Sequence, residues 1–227
     1  MALSNRLRGL GYQPLVITAH LRCGVITDGL LPIDGLLYAA QHRRVMPGQQ
    51  IATRARDTAV EGESGAGMLP LQVLGGEGPD WYYAASVAQW PSVIAEGIDH
   101  WTKRLDTRYV EVLERQRARV PTSGGRYRGY RMPVAYRHAL AVTWHVVGLA
   151  EQIRDLLALV THVGKKREMG WGAVIGWSVT PSATDHSVTG PNGRLMRPVP
   201  MAGGVLYGLR PPYWLPRHQV PCRLPVI

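Results

Sequence analysis

The residues best suited to chemistry lie in a basic loop at residues 164–172, which reads Gly-Lys-Lys-Arg-Glu-Met-Gly-Trp-Gly. Three consecutive cations stand beside glycines, whose lack of a Cβ lets backbone amides come close to a ligand. Trp171 adds a flat face on which a base can stack, so the loop suits a phosphodiester strand better than a small neutral metabolite. The alternative is an ordinary helix end, with Gly164 as its cap and the cations offsetting the helix dipole. The candidate contacts are Gly164, Lys165, Lys166, Arg167, Met169, Gly170, Trp171 and Gly172.

A second segment, residues 124–132, alternates arginines with tyrosines and glycines. Arginine binds phosphates or stacks on bases, and tyrosine rings offer flat surfaces, so this composition is typical of contacts to nucleic acid. The alternative is a solvated hairpin without a partner. The candidate contacts are Arg126, Tyr127, Arg128, Tyr130 and Arg131.

The eight histidines raise the question of acid–base chemistry. His20 and His42 are the candidates that could activate a ribose 2′-hydroxyl, although each is more often a surface or interface histidine. No His, Cys or carboxylate spacing is typical of a metal site, so we expect neither a metal nor another cofactor. The remaining candidates are expected contacts to RNA on a sheet face and at the end of a helix: His20, Arg22, His42, Arg43 and Arg44.

The charge is concentrated in the second half of the chain. The formal net charge is +10, made up of −2 through residue 100, +7 over residues 101–137 and +5 from residue 138 onward. This distribution favours a polyanionic partner, the alternative being a basic protein with no nucleic-acid role. Cys23 and Cys222 are far apart, and no apolar run is long enough to span a membrane, so we expect a cytoplasmic protein without disulfides or a membrane partner.

The hydrophobic periodicity of the sequence predicts a sheet with two helices, and these elements carry the candidate contact segments. Alternation predicts strands at residues 15–23, 69–74, 81–88, 140–146 and 171–179, and helical spacing predicts helices at 31–44 and 149–160. Residues 90–133 break the pattern and are expected to form a long basic insertion with its tip at 121–125. The order predicts an α+β, ferredoxin-like or RRM-like domain over residues 14–180, with an antiparallel sheet and both helices on one face. Residues 181–227 are rich in proline and predict an extended tail.

Three segments together resemble the RAMP superfamily of CRISPR proteins, and most closely the Cas-five-like subunit of type IV effector complexes. They are residues 32–37, residues 125–133 and the glycine-rich loop at 164–172, within a resemblance that spans about residues 15–179. The loop is typical of the whole superfamily, whereas the other two segments favour type IV. Trp171 stands where the superfamily often has another aromatic residue.

The resemblance implies a non-catalytic subunit that caps the 5′ handle of a CRISPR RNA. The insertion becomes a thumb, with residues 126–131 as thumb contacts. The implied partners are a Cas-seven-like backbone subunit, a Cas-eight-like large subunit and target DNA near its adjacent motif. Two alternatives remain open from the residues themselves: a metal-independent endoribonuclease that processes precursor CRISPR RNA, and a DNA-binding scaffold without RNA. The handle contacts that carry over are Lys165, Lys166, Arg167, Gly170 and Gly172.

Overall fold

The computed structural model describes residues 11–27, 29–48, 68–75, 80–104 and 128–226. Two α-helices occur in this part of the chain, α1 (Ile33–Val45) and α2 (Ala150–Leu157), with short 3-10 turns at Arg167–Met169, Pro191–Gly193 and Pro216–His218. The strands are β1 (Gln13–Leu21), β2 (Val25–Ile26), β3 (Val73–Leu74), β4 (Tyr82–Tyr83), β5 (Val93–Lys103), β6 (Tyr130–Ala139), β7 (Ala141–Gly148), β8 (Val174–Pro181), β9 (Val199–Gly208) and β10 (Gln219–Arg223).

The central sheet places β1 between β7 and β8, with antiparallel pairing on both sides. Residues 84–89 continue the sheet beyond β7, since the Ser86 amide donates to the His145 carbonyl at 2.8 Å and Gln89 exchanges hydrogen bonds with Thr143. Leu15 and Ile17 are buried on one face of β1, as the alternation predicts. The sheet therefore runs β8, β1, β7 and then residues 84–89.

Both helices pack against the buried face of this sheet. Leu37 of α1 and Leu156 of α2 belong to the same hydrophobic cluster as Ile17 and Trp144 of the sheet. The apolar spacing of each helix explains this, because residues three and four apart form one stripe that has to be buried. The predicted α+β class, with antiparallel strands and two helices, is confirmed. No helix among the described residues is long and apolar enough to cross a membrane.

A second sheet is built on a long hairpin. Strands β5 and β6 pair over their whole length, from Lys103 opposite Tyr130 back to Val93 opposite Ala139, and β2 joins the other side of β6. We call β5 and β6 the basic hairpin. The described parts of the predicted insertion at 90–133, residues 90–104 and 128–133, are largely regular strand, whereas residues 105–127, with the expected tip at 121–125, lie outside the described residues.

Two apolar residues within the predicted strands are exposed. Ile175 is 71% exposed because β8 carries a bulge: β1 pairs His20 with Gly176 and Leu21 with Val174, which leaves Ile175 without a position opposite β1. Leu140 is 69% exposed because it lies at the turn between β6 and β7 rather than in a strand.

The C-terminal segment differs from the predicted extended tail over residues 181–227. Strands β9 and β10 form an antiparallel hairpin, and Met196 and Leu209 are buried. Arg197, which is 3% exposed, donates to the backbone carbonyls of Ala85 at 3.0 Å and Leu209 at 2.7 Å. The prolines therefore lie within a packed segment and do not produce the predicted extended tail.

A buried ion pair joins this C-terminal segment to the start of α1. The Asp34 carboxylate is fully buried, lies 3.9 Å from the Arg197 guanidinium and accepts a hydrogen bond from the Tyr213 hydroxyl. Burial raises the pKa of Asp34, and the neighbouring Arg197 and Tyr213 act against that rise.

Candidate nucleic-acid interface

The glycine-rich loop is anchored at its first end to β2. The Lys165 amide donates to the Ile26 carbonyl at 2.8 Å. Gly164 has φ +80°, and a Cβ at this position would lie 2.5 Å from the same carbonyl oxygen. Only glycine combines this conformation with so close an approach, so Gly164 fits the loop against β2.

The other end of the loop is anchored even more tightly. Gly172 has φ +72°, its amide donates to the Gly24 carbonyl at 2.8 Å, and its carbonyl accepts from the Val163 amide at 2.8 Å. A Cβ on Gly172 would lie only 1.8 Å from the Val163 carbonyl oxygen. The Cys23 thiol adds a hydrogen bond to the Gly170 carbonyl at 3.0 Å. Gly172 therefore anchors the loop through both of its backbone groups, and its predicted contact with a ligand stays a prediction.

The middle of the loop faces solvent. Arg167, Met169 and Gly170 are exposed, and Lys166 holds a left-handed conformation with φ 57° just before the 3-10 turn. A Cβ on Gly170 would meet no heavy atom within 4 Å. The loop thus has fixed ends and an open, cationic centre, as a surface for a polyanion requires.

The basic hairpin contacts the loop through aromatic rings. The Nζ of Lys166 lies 3.3 Å from the ring centroid of Trp101. Trp101 packs edge to face with Tyr130 at a centroid distance of 5.0 Å, and the Lys103 Nζ lies 5.7 Å from the Tyr130 ring. Cations and rings alternate here, and both classes of group bind single-stranded nucleic acid.

Trp171 is half-buried between β6 and the loop. Its ring lies 5.4 Å from that of Tyr136 and 6.1 Å from that of His138. A Cβ on Gly24 would lie 3.0 Å from the Trp171 ring. Part of the predicted stacking surface is therefore used to hold the loop against the hairpin.

The residues predicted on the sheet face and on α1 separate into two groups. His20 and Arg22 are exposed, and His20 shares a hydrogen bond of 2.9 Å with the Ser178 hydroxyl. Arg43 and Arg44 are exposed at the end of α1. His42 is only 5% exposed, so its predicted role as a surface contact needs correction. It lies four residues after Tyr38, on the helix face that packs inward.

The predicted thumb contacts are only partly described. Arg128 is exposed just before β6, Arg131 is exposed within it, and Tyr130 is half-buried beside Trp101. Arg126 and Tyr127 lie outside the described residues.

Sequence reasoning missed several ring and cation positions of the hairpin. Trp101, Lys103, Tyr136 and His138 share the hairpin face that meets the loop, because directly opposite residues of antiparallel strands project to one side. The even spacing of Tyr130, Tyr136 and His138 was the available signal. No group of three or more His, Cys, Asp or Glu residues in the described part of the chain could hold a metal ion.

Comparison with known proteins adds the family. A family model described as CRISPR type IV associated protein Csf3 matches residues 13–225. Among solved structures, the chain is similar to one in the cryo-EM structure of the type III-B Cmr-beta bound to cognate target RNA. The identity is 11%, the TM-score is 0.40, and the match covers 80% of this chain and 65% of that chain. No curated protein matches the chain. The family match includes the basic hairpin, the glycine-rich loop and the C-terminal hairpin, and the chain therefore belongs to the CRISPR type IV associated Csf3 family.

Proposed function

We propose that this protein is the RNA-binding subunit that caps the 5′ handle of the CRISPR RNA in a type IV effector complex. Its central sheet then corresponds to the ferredoxin-like core of the RAMP superfamily, and the basic hairpin to the thumb. One observation carries the proposal: the open centre of the glycine-rich loop lies beside the ring-bearing face of the hairpin, with Lys166 3.3 Å from Trp101. Family membership supports the CRISPR context.

The two sides of this cleft offer different contacts. The loop supplies Lys165, Lys166 and Arg167 for phosphate oxygens, and the exposed backbone at Gly170 allows close approach of the strand. The hairpin supplies Trp101 and Tyr130, on which unpaired bases can stack. Because Lys166 already contacts Trp101 at 3.3 Å, a single RNA strand would lie across the loop and the hairpin rather than between them, and it would meet charge on one surface and rings on the other.

The same proposal covers partners and place of action. The outer part of the hairpin would contact a Cas-seven-like backbone subunit. A Cas-eight-like large subunit and the target DNA near its adjacent motif would lie close by. The protein would act in the cytoplasm as a stoichiometric component without catalysis.

The test is a charge removal at the loop centre. Replacing Lys165, Lys166 and Arg167 together by alanine should abolish handle binding and assembly of the complex, measured by RNA mobility shift and by co-purification of the other subunits. The matched control replaces three exposed arginines that are not candidate contacts, Arg154, Arg217 and Arg223, and so removes the same charge. Equal loss in both triple variants, or unchanged assembly in the loop variant, contradicts the proposal.

An endoribonuclease activity is the second candidate function, and one observation supports it. His20 is exposed and hydrogen-bonded to the Ser178 hydroxyl, so an imidazole and a hydroxyl lie together on an open strand. Incubation of the protein with precursor CRISPR RNA in EDTA separates the two functions. Specific cleavage by the wild type that is lost in His20→Ala would contradict the non-catalytic proposal and support the endoribonuclease.

A further inference from the structure

A second concave surface lies on the side of the glycine-rich loop that faces α1. It is a pocket of about 300 Å³ between the end of α1, the chain that follows α2 and the 3-10 turn of the loop. Arg43 and Arg167 come from segments more than a hundred residues apart and line the same pocket. The full lining is Arg43, Val160, Thr161, His162, Arg167 and Glu168.

The two guanidinium groups in this pocket lack a counter-ion within the described part of the chain. No carboxylate of the described residues lies within 4 Å of Arg43 or Arg167, although Glu168 also lines the pocket. Two like charges that line one concavity repel each other, and an anion bound between them would offset that repulsion. Arg43 also offsets the negative end of α1, but Arg167 lies in a short turn and has no helix end of that kind to neutralise.

The neutral groups of the pocket suit a phosphate as well. The Thr161 hydroxyl shares a hydrogen bond of 3.0 Å with Nδ1 of His162, which fixes the imidazole ring and leaves its Nε2 as a further polar group. A guanidinium binds two phosphate oxygens at once, and a pocket of this volume is large enough for one phosphate with its first water molecules. The chemistry is thus that of an oxyanion site with two arginines, an imidazole and a hydroxyl.

We propose that this pocket binds one phosphate group of the RNA backbone, so that the strand passes around the glycine-rich loop from the basic hairpin to the end of α1. The proposal rests on the RNA-binding function above and extends it to a site outside the hairpin cleft. Neighbouring loop residues serve the two sides: Lys166 contacts the hairpin ring, and Arg167 lines the pocket. Glu168 limits the affinity of the pocket for a small anion. Its carboxylate reduces the positive charge of the pocket, so that the pocket by itself does not bind such an anion tightly.

The first experiment measures RNA affinity against salt concentration for the full-length protein and its variants. Arg43→Ala and Arg167→Ala should each weaken handle binding by about ten-fold and should reduce the salt dependence by the equivalent of about one phosphate contact. The double variant should lose less than the product of the two single losses, since both arginines bind the same phosphate. Arg217→Ala is the matched control: this exposed arginine lies in the C-terminal segment, does not line the pocket and should change affinity less than two-fold.

The second experiment locates the phosphate. A series of handle RNAs, each with one uncharged methylphosphonate linkage, is bound to the wild-type protein and to the Arg43→Ala/Arg167→Ala variant. One linkage should weaken binding to the wild type and leave binding to the variant unchanged. If no linkage behaves in this way, or if Arg217→Ala has the same effect as Arg43→Ala, the proposed subsite is wrong and the arginines act only through net charge.

A third arm separates failure of this inference from failure of the proposed function. Inorganic phosphate is added to the RNA-free protein, and the His162 ring signals are followed by NMR in the wild type and in the double variant, with chloride at equal ionic strength as the control. Phosphate-specific shifts that disappear in the double variant support an anion site. If these shifts occur although no RNA binds, the proposed handle-capping function is wrong and the pocket binds free phosphate. No phosphate-specific shift, together with no change in the RNA experiments, overturns the inference while leaving the hairpin cleft untouched.

Discussion

The two glycines near the end of the glycine-rich loop should respond very differently to alanine. Gly170 and Gly172 both have positive φ, +86° and +72°, so either substitution costs about 1–2 kcal/mol for the left-handed conformation. At Gly170 no heavy atom lies within 4 Å of the added Cβ, so we expect no loss of stability beyond the cost of the left-handed backbone. At Gly172 the Cβ would lie 1.8 Å from the Val163 carbonyl oxygen, a distance that no local adjustment can accommodate.

The extra cost at Gly172 follows from the hydrogen bonds that must break. Moving the Gly172 backbone away from Val163 strains two hydrogen bonds of 2.8 Å, one to the Val163 amide and one to the Gly24 carbonyl. Each bond contributes about 1 kcal/mol net, and a buried group left unpaired costs about 1–3 kcal/mol. We therefore expect Gly172→Ala to lower the free energy of unfolding by roughly 3–5 kcal/mol and Gly170→Ala by about 1–2 kcal/mol.

Urea unfolding followed by circular dichroism measures this difference. The midpoints are compared only where the slopes of the two transitions agree, so that a change in midpoint is a change in stability. Handle binding by Gly170→Ala is measured in parallel, because this variant keeps the fold and places a methyl group on the open backbone. If the two variants lose the same stability, Gly172 does not anchor the loop and the distinction between its fixed ends and open centre is wrong.

Three further predictions concern contacts that hold the fold together. Replacing Arg197 by methionine leaves Asp34 buried without its cation and should lower the free energy of unfolding in urea by about 3–5 kcal/mol. Adding Asp34→Asn should recover part of that loss. No recovery would show that Arg197 acts only through its backbone contacts. Burial and the nearby arginines lower the pKa of His218 to about 4, so the unfolded chain takes up a proton first and stability falls as the pH drops from 7 towards 4. The wild type should lose up to about 3 kcal/mol more than His218→Asn over that range, since one pKa unit is about 1.4 kcal/mol, and parallel pH profiles would contradict this. A double-mutant cycle of Lys166→Ala and Trp101→Ala should give a coupling of about 0.5–1 kcal/mol, whereas additive effects would show that the cation and the ring do not interact.

The elements that local periodicity controls could be predicted from the sequence. The alternation in β1 and the helical spacing in α2 each reflect burial of one face, and the structure buries Ile17 and Ile153 as expected. The same rule was available for His42, which follows Asp34 and Tyr38 at helical intervals and is buried with them. The prediction of a surface contact at His42 follows instead from its place at the helix end, where charged side chains usually face water.

Contacts between distant segments could not be predicted in this way. Lys166 and Trp101 are far apart in the sequence, and their contact depends on the pairing of the basic hairpin, for which the charge-rich sequence gives no clear alternation. The convergence of Arg43 and Arg167 depends likewise on how α1 packs beside α2. In the C-terminal segment, prolines suppressed the strand signal, although Pro221 lies within β10 at a break in its register, where an amide donor is not needed.

The outer strand of the central sheet is covered by the protein's own chain. Residues 84–89 bond to β7 on one side, and on the other side the Val87 and Ala88 amides donate to the carbonyls of Met196 and Leu31. An uncovered strand invites a neighbouring molecule to dock by main-chain hydrogen bonds, and that is a common route to aggregation. The C-terminal segment thus covers this edge at Val87, and the residues before α1 cover it at Ala88. A truncation that removes the C-terminal segment would leave part of a sheet edge open to such docking.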